Sequence, residues 1–325
     1  MLTPVERGGL HLPDCGLWMD ARRPKPFAVV SHAHSDHTAR HKSFLATPAT
    51  IEFIRIRLGD AVARRGIPLV YGEVYQHGSL KIQLFPAGHI LGSAMVYVET
   101  DKGESLLYTG DFKTRPGLAA EAIKVPQADI LVMESTFGRP EFVFPSLEVV
   151  HEKIISFCRE NLREKQIPIL LAYSLGKAQE VLKILERGAL PIMAHRTIRS
   201  FNPIYGQYEF AMPETRPLDF DNMEGQVVVM PPTVRKQIPR KIPPHKIAMV
   251  SGWALQESAR FRYRTHTVLP LSDHADYPDL LGFVEQVNPR TTYLMHGSTT
   301  ALAADLRRRG REAWSLIRAD QLELL

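Results

Sequence analysis

Short apolar or β-branched runs punctuate this chain, and several of them stop at a single ligand-type residue beside a glycine. Lys81-Ile82-Gln83-Leu84-Phe85 reads as a strand and runs into Pro86-Ala87-Gly88-His89. Ser105-Leu106-Leu107-Tyr108 runs into Thr109-Gly110-Asp111, and Thr291-Thr292-Tyr293-Leu294-Met295 runs into His296-Gly297. Phe27-Ala28-Val29-Val30 leads into a histidine-rich segment. Functional groups in layered α/β proteins gather where strand ends open into loops, so these tails are expected to converge on one cleft. The long interval before His296 has its own elements. Ile167-Pro168-Ile169-Leu170-Leu171-Ala172-Tyr173 predicts a strand, and Ser174 is the expected cap of a helix from Leu175 to Glu186. Val227-Val228-Val229-Met230 and Ile247-Ala248-Met249-Val250 predict two more strands. The expected organisation is a small α/β lobe at 169–262, inserted into a first lobe formed by 1–168 and 263–325. No internal repeat or low-complexity tract is present.

The histidine-rich segment is Ser31-His32-Ala33-His34-Ser35-Asp36-His37. Alternate residues leaving a strand end can turn two neutral imidazole nitrogens toward one point, so His32 and His34 suit one cation. Asp36 and His37 then face a second point. A cluster with both hard oxygen and borderline nitrogen donors favours zinc, with manganese or iron as substitutes. Four ligands do not fill two metals, and His89, Asp111 and His296 stand at the strand ends that could supply the rest.

The order His32/His34/Asp36/His37, His89, Asp111, His296 resembles the metallo-β-lactamase fold over nearly the whole chain. Glu134 in Leu131-Val132-Met133-Glu134-Ser135-Thr136-Phe137-Gly138 and His274 in Leu271-Ser272-Asp273-His274-Ala275-Asp276 point to its β-CASP nuclease branch. The resemblance implies an αββα sandwich carrying an inserted small α/β β-CASP cap. It implies that His32, His34 and His89 bind one Zn2+, that Asp36, His37 and His296 bind the other, and that Asp111 bridges them. Asp20, ending Leu17-Trp18-Met19-Asp20, matches the family's first acidic motif and would orient the histidine cluster. His274 would protonate the departing oxygen, with Glu134 fixing its tautomer, and Asp36 joins them in the catalytic set. Ser272 matches a phosphate-holding serine. The finer resemblance is to bacterial DNA-ligase-associated exonucleases, through Gly9-Leu10-His11-Leu12, Val250-Ser251-Gly252-Trp253 and Leu271 to Tyr277. It implies DNA end processing beside an ATP-dependent DNA ligase and a helicase. The stretch Ala254 to Ala259 departs from that subgroup's pattern, and a histidine at the His296 position often accompanies RNA cleavage in the wider family.

Charge then narrows what would enter such a site. The formal net charge of +5 is consistent with binding a polyanion. Arg235, Lys236, Arg240, Lys241 and Lys246 share a segment with Pro239, Pro243 and Pro244, which excludes a regular helix and suits a basic loop along a phosphate backbone. Arg260-Phe261-Arg262-Tyr263-Arg264 alternates at strand period. Its arginines, Arg262 among them, would meet phosphates while Phe261 and Tyr263 pack inward; base stacking by the aromatics is the alternative. Ser174 and Lys177 stand where a helix start could receive a phosphate. Arg307, Arg308, Arg309 and Arg311 read as the solvated face of a C-terminal helix. His11, His41, His77, His151, His195, His245 and His266 fit no motif of the family.

With 325 residues and 44% hydrophobic content, the chain can bury a sizeable core. Two cysteines, Cys15 and Cys158, give no disulfide framework, and no run approaches the roughly 18 apolar residues of a membrane span. The N-terminus lacks a basic start followed by an apolar stretch, so a cytoplasmic protein with no membrane partner is expected. The leading expectation is a two-zinc nuclease on DNA, with Mn2+ as a possible substitute metal. RNA processing by the same chemistry is the alternative, followed by a small-ester hydrolase and a nucleic-acid-binding scaffold with a dead site.

Overall fold

The computed structural model describes residues 2–256 and 258–317. Glu257, in the stretch that departs from the ligase-associated pattern, and 318–325, at the end of the expected first lobe, lie outside the described residues. The chain divides into two units. The first comprises Met1–Pro116, Ala120–Val143 and His274–Leu325; the second comprises Gly117–Ala119 and Phe144–Asp273.

Two sheets build the first unit. One runs in chain order through Val5–Glu6, Leu10–Leu12, Leu17–Met19, Ala28–Val29, Phe44–Ala46 and Gly66–Pro68. Its opening hairpin is antiparallel, pairing Leu10 with Met19, and from Met19–Val29 onward the pairing is parallel. The other sheet has the order Ala313–Ser315, Thr291–Gly297, Ile130–Ser135, Ser105–Tyr108, Ala94–Thr100, Leu80–Pro86, Val74–His77. Alternate residues such as Ile82 and Leu84 face inward and join Leu10, Leu12, Met19 and Leu45 of the first sheet in one apolar cluster. On the opposite face Leu107, Leu131, Met133 and Leu294 pack under Phe283 and Val287 of helix Tyr277–Val287 and Leu302 of helix Thr299–Arg308. Ile130–Ser135 is therefore apolar on both faces, which explains its unbroken Ile-Leu-Val-Met run. Helix Pro48–Leu58 contacts the last strand of the first sheet and completes a helix–sheet–sheet–helix sandwich. Thr47 caps it, accepting from Thr50 N at 3.2 Å, with Pro48 in the first turn.

The second unit is a wholly parallel sheet in the order Arg216–Pro217, Ile192–Ala194, Val227–Met230, Ile167–Leu171, His245–Val250, Thr267–Leu269. One face packs Leu170, Val229 and Ala248 against helices Leu147–Arg163 and Lys177–Arg187; the other buries Ile169, Val228 and Met249. Burial on both faces accounts for the continuous hydrophobic strands.

The expected boundaries at 169 and 262 both fall inside this unit. Helix Leu147–Arg163 belongs to it because Val150, Ile154 and Cys158 share the cluster with Leu170, and Thr267–Leu269 forms the edge of its sheet. The helix expected from Leu175 begins at Lys177, with Gly176 as its cap residue, and Gln179 Oε1 accepts from Gly176 N at 2.8 Å. Ser174 caps nothing; its Oγ lies 3.2 Å from Thr197 Oγ1. Arg260–Arg264 is not a strand, because Ala259–Tyr263 is helical. Ala259 and Tyr263, one turn apart, face inward, so Phe261 between them is 79% exposed rather than packed. Five residues of alternating Arg and aromatic side chains are too few for period to separate strand from helix. No described helix is long and apolar enough to cross a membrane.

Gly297 has φ +67°, and a Cβ there would meet Ser135 O at 2.3 Å and Thr136 Cα at 2.4 Å. Gly297→Ala is expected to lower stability by at least about 2 kcal/mol, measured as a lower urea midpoint. An unchanged midpoint would show that the strand end can yield.

Candidate metal centre

Four strand ends and the histidine loop of the first unit meet near Asp111. The chain leaves Leu17–Met19 at Asp20, whose φ of +48° is a left-handed turn that aspartate tolerates. Its buried carboxylate accepts from Ser31 N at 2.7 Å, Ser31 Oγ at 2.5 Å, Tyr108 OH at 2.9 Å and His37 Nδ1 at 2.8 Å. These bonds decide the tautomers. Ser31 Oγ gives its one proton to Asp20, so it can only accept from His32 Nδ1, 3.0 Å away. Both His32 and His37 thus carry a proton on Nδ1 and present Nε2 inward. His32 Nε2 is buried and makes no hydrogen bond among the described residues. An orphaned lone pair at the centre of such a cluster is what a cation would satisfy.

Asp111 follows Gly110, whose φ of +54° and lack of a side chain let it lie on Ser31; a Cβ would meet Ser31 Oγ at 2.6 Å. Asp111 Oδ2 is 3.3 Å from His37 Nε2, 3.6 Å from His32 Nε2 and 3.8 Å from His89 Nε2. His89 Nε2 in turn is 3.1 Å from His34 Nδ1. His32, His34, His89 and Asp111 each offer a ligand atom within 4.8 Å of the others, a donor set able to hold one divalent cation. Asp36 Oδ2 is 3.5 Å from His37 Nε2, and the His296 ring lies 5.8 Å from the His37 ring, centroid to centroid. This second group is more open than the first. His296 itself has φ +57°, an uncommon conformation for a non-glycine residue and one that clusters at functional sites.

The electrostatics match a cation pocket. Burial opposes charge on His37, yet Asp111 and Asp20 together hold its pKa well above the ordinary value. Burial, followed by the neighbouring His37, His34 and His89, pushes His32 well below it, so His32 is a neutral imidazole with a free lone pair. Asp111 is buried too, but His37 holds its carboxyl well below the usual range. Burial and then Asp20 push Tyr108 well above its usual value, which keeps its hydroxyl a donor.

Beside this cluster Glu134 Oε1 accepts from His274 Nδ1 at 2.8 Å and from Phe112 N at 3.0 Å, while Thr136 Oγ1 donates to Oε2. The His274 ring lies 4.8 Å from that of His89. Ser272, Ser174, Lys177 and Arg262 belong to the second unit. There the buried ammonium of Lys177 donates to Leu271 O at 3.1 Å and pairs with Asp273 at 2.5 Å, and Ser272 is buried between them in sequence. Arg262 Nη2 donates to Gln256 Oε1 at 2.8 Å.

Residues 258–315 match the Zn-dependent metallo-hydrolase RNA specificity domain. A protein of Opitutus terrae named "Probable DNA ligase" is 44% identical over 318 residues, 97% of this chain and 31% of its own length. The chain belongs to the β-CASP branch of the metallo-β-lactamase family. An RNase J-like protein of Methanocaldococcus jannaschii is 30% identical over 207 residues, covering 54% of this β-CASP chain and 49% of itself. The transcription termination factor FttA of Methanothermobacter thermautotrophicus is 37% identical over 124 residues, 37% of the chain and 20% of that protein. This β-CASP chain thus spans about a third of the Opitutus protein and about half of the Methanocaldococcus one.

Reading the sequence alone missed the supports of this β-CASP site. Ser31 and Tyr108 hold Asp20, and Thr136 and the Phe112 amide hold Glu134. Ser31 stands inside the histidine segment and Tyr108 ends a predicted strand, but nothing local marks either as a partner of Asp20. Asp276 had a local signal, an Asp before Tyr277-Pro278. Its carboxylate caps helix Tyr277–Val287, accepting from Asp279 N at 3.1 Å, and pairs with Arg115.

Removing the buried Asp20 carboxylate leaves four donors without an acceptor. Asp20→Ala is expected to cost about 3–5 kcal/mol and to reduce bound metal in the purified protein. Differential scanning calorimetry with elemental analysis checks both, and a variant with wild-type melting and metal content would refute the assigned role.

Proposed function

We propose that this chain is a two-metal nuclease hydrolysing phosphodiester bonds, with DNA ends as its substrate. The observation that carries this reading is the Glu134–His274 pair at 2.8 Å, set beside the imidazole and carboxylate donors around Asp111. A metal cluster alone would serve many hydrolases; a second, carboxylate-held imidazole next to it supplies the proton that a departing alkoxide needs.

His32, His34, His89 and Asp111 would hold one zinc ion, with Asp36, His37 and His296 holding a second that Asp111 shares; manganese is the expected substitute. Bound there, the two ions would supply an activated hydroxide and stabilise charge on the phosphoryl oxygens. The chain's own residues do the rest. Asp20 keeps His37 Nδ1 protonated, and Ser31 keeps His32 Nδ1 protonated, so both rings turn Nε2 toward the site, where a bound cation would take the place of any proton on it. Glu134 binds His274 through Nδ1, which leaves Nε2 as the atom that delivers a proton to the leaving oxygen. Lys177, already paired with Asp273, supports a positioning role for the Ser272 segment rather than direct capture of a phosphate.

The 44% identity to a protein named for a DNA ligase, over 97% of this chain, supports a place in DNA end processing beside a ligase. A second reading, RNA cleavage by the same residues, is favoured by the match to an RNA specificity domain and by the RNase J-like relative. Two free cysteines, Cys15 and Cys158, support a reducing cytoplasm as the setting.

His274→Ala is expected to keep its metal and lose about 10²- to 10⁴-fold in turnover, whereas Asp111→Ala loses metal and activity together. Cleavage of matched 5'-labelled single-stranded DNA and RNA, with zinc or manganese and a chelator control, measures this and separates the two substrates. Near wild-type cutting by His274→Ala would sink the acid assignment. Failure of the wild-type protein to cut either strand would sink the nuclease reading.

A further inference from the structure

Phe261 is the most exposed large hydrophobic side chain among the described residues, at 79%. Its helix, Ala259–Tyr263, is anchored from below. Ala259 is buried, Tyr263 packs onto the apolar face of the parallel sheet, and Arg235 grips the helix end through Tyr263 O and Arg264 O, each at 2.6 Å. Arg264 turns the chain with φ +50°, and Arg262 Nη2 is tied to Gln256 Oε1. The ring is thus held up into solvent by a fixed platform rather than hanging from a loose loop.

Arg260, Arg262 and Arg264 flank the ring in sequence and are exposed. The grip of Arg235 joins this helix to the turn Pro232–Gln237, which carries Lys236. Among the described residues no carboxylate pairs with Lys236, Arg240, Lys241, Lys246, Arg260 or Arg264. His266, on the edge strand's approach, reports the field: after burial, Lys246, His245, Arg235 and Arg260 all lower its pKa. Arg260 and Arg264, without carboxylate partners among the described residues and flanking one exposed aromatic ring in sequence, suit a polyanion that also has flat apolar faces.

We infer that Phe261 is a base-stacking platform for single-stranded nucleic acid, with Arg260 and Arg264 contacting the flanking phosphates. The inference rests on the nuclease reading above and adds to it a binding surface of the second unit, separate from the metal donors in sequence. Stacking accepts any base, so this surface sets affinity and strand type rather than sequence. A duplex keeps its base faces covered and gains only the phosphate contacts, so single strands are preferred.

The test uses the full chain and two fluorescein-labelled phosphorothioate probes, oligo-dT and oligo-U, with binding followed by anisotropy. Phe261→Ala is expected to weaken binding of the preferred probe about tenfold, and Phe261→Trp to retain it. The added indole emission in Phe261→Trp should be quenched on binding, which a structural role for the ring would not produce. Arg260→Gln and Arg264→Gln should each flatten the slope of log affinity against log salt by about 0.7. Wild-type affinity in Phe261→Ala, with no quenching in Phe261→Trp, overturns the inference while leaving the nuclease intact. Failure of the wild-type protein to bind either probe overturns this inference, and failure to cut as well removes the nuclease reading with it.

Discussion

A buried carboxylate with four hydrogen-bond donors organises the first unit. Asp20 is removed from water at the end of Leu17–Met19, and an unpaired charge in that position would cost several kcal/mol. The fold supplies Ser31 through both its amide and hydroxyl, the His37 ring and the Tyr108 hydroxyl. Those groups come from the histidine loop and from a strand of the other sheet. One side chain therefore joins the two sheets and sets the tautomers of two imidazoles. The requirement that buried polar groups be satisfied and the requirement that His32 and His37 present Nε2 inward are met by the same bonds.

The same device recurs at Glu134. This carboxylate is also buried at a strand end, is also held by a hydroxyl and a backbone amide, and also fixes one imidazole through Nδ1. The two strands that carry it and His296 run side by side, pairing Glu134 with Met295, and the register shifts before Ser135 pairs with Gly297. That irregularity coincides with the positive φ of His296 and Gly297. The sheet thus gives up regular pairing where it has to turn ligand-type side chains out of the core. In the second unit every strand pairing is parallel, and no such shift interrupts the described pairs.

Much of the strand set was legible because burial on both faces leaves unbroken apolar runs. Ser105–Tyr108 and Val227–Met230 have the expected ends, and Ile167–Leu171 and His245–Val250 differ from expectation only at their margins. The histidine cluster was legible because so many ligand-type side chains in one short segment have few structural uses. The misreadings lie where local pattern is weak. Ser174 looks like a cap, but Gly176 takes that position through its φ of +86° and the Gln179 side chain. Lys177 looks like a cation at a helix start that could receive a phosphate, but its ammonium is buried and paired with Asp273. Arg260–Arg264 looks like a strand, and its helix is set by Arg235 from a distant turn.

The amino-acid sequence by itself determined the ligand types, the order of the strand ends that carry them, and the existence of an inserted α/β segment. These follow from composition and short-range periodicity, which are local properties of a chain. Only the tertiary structure decided which nitrogen each histidine presents, which hydroxyls and amides hold the buried carboxylates, and which cations are already paired. It also decided that Phe261 stands in solvent. Each of these depends on partners brought together from far along the chain, such as Tyr108 with Asp20 or His274 with Glu134, and no local pattern encodes a distance between residues that only folding makes neighbours.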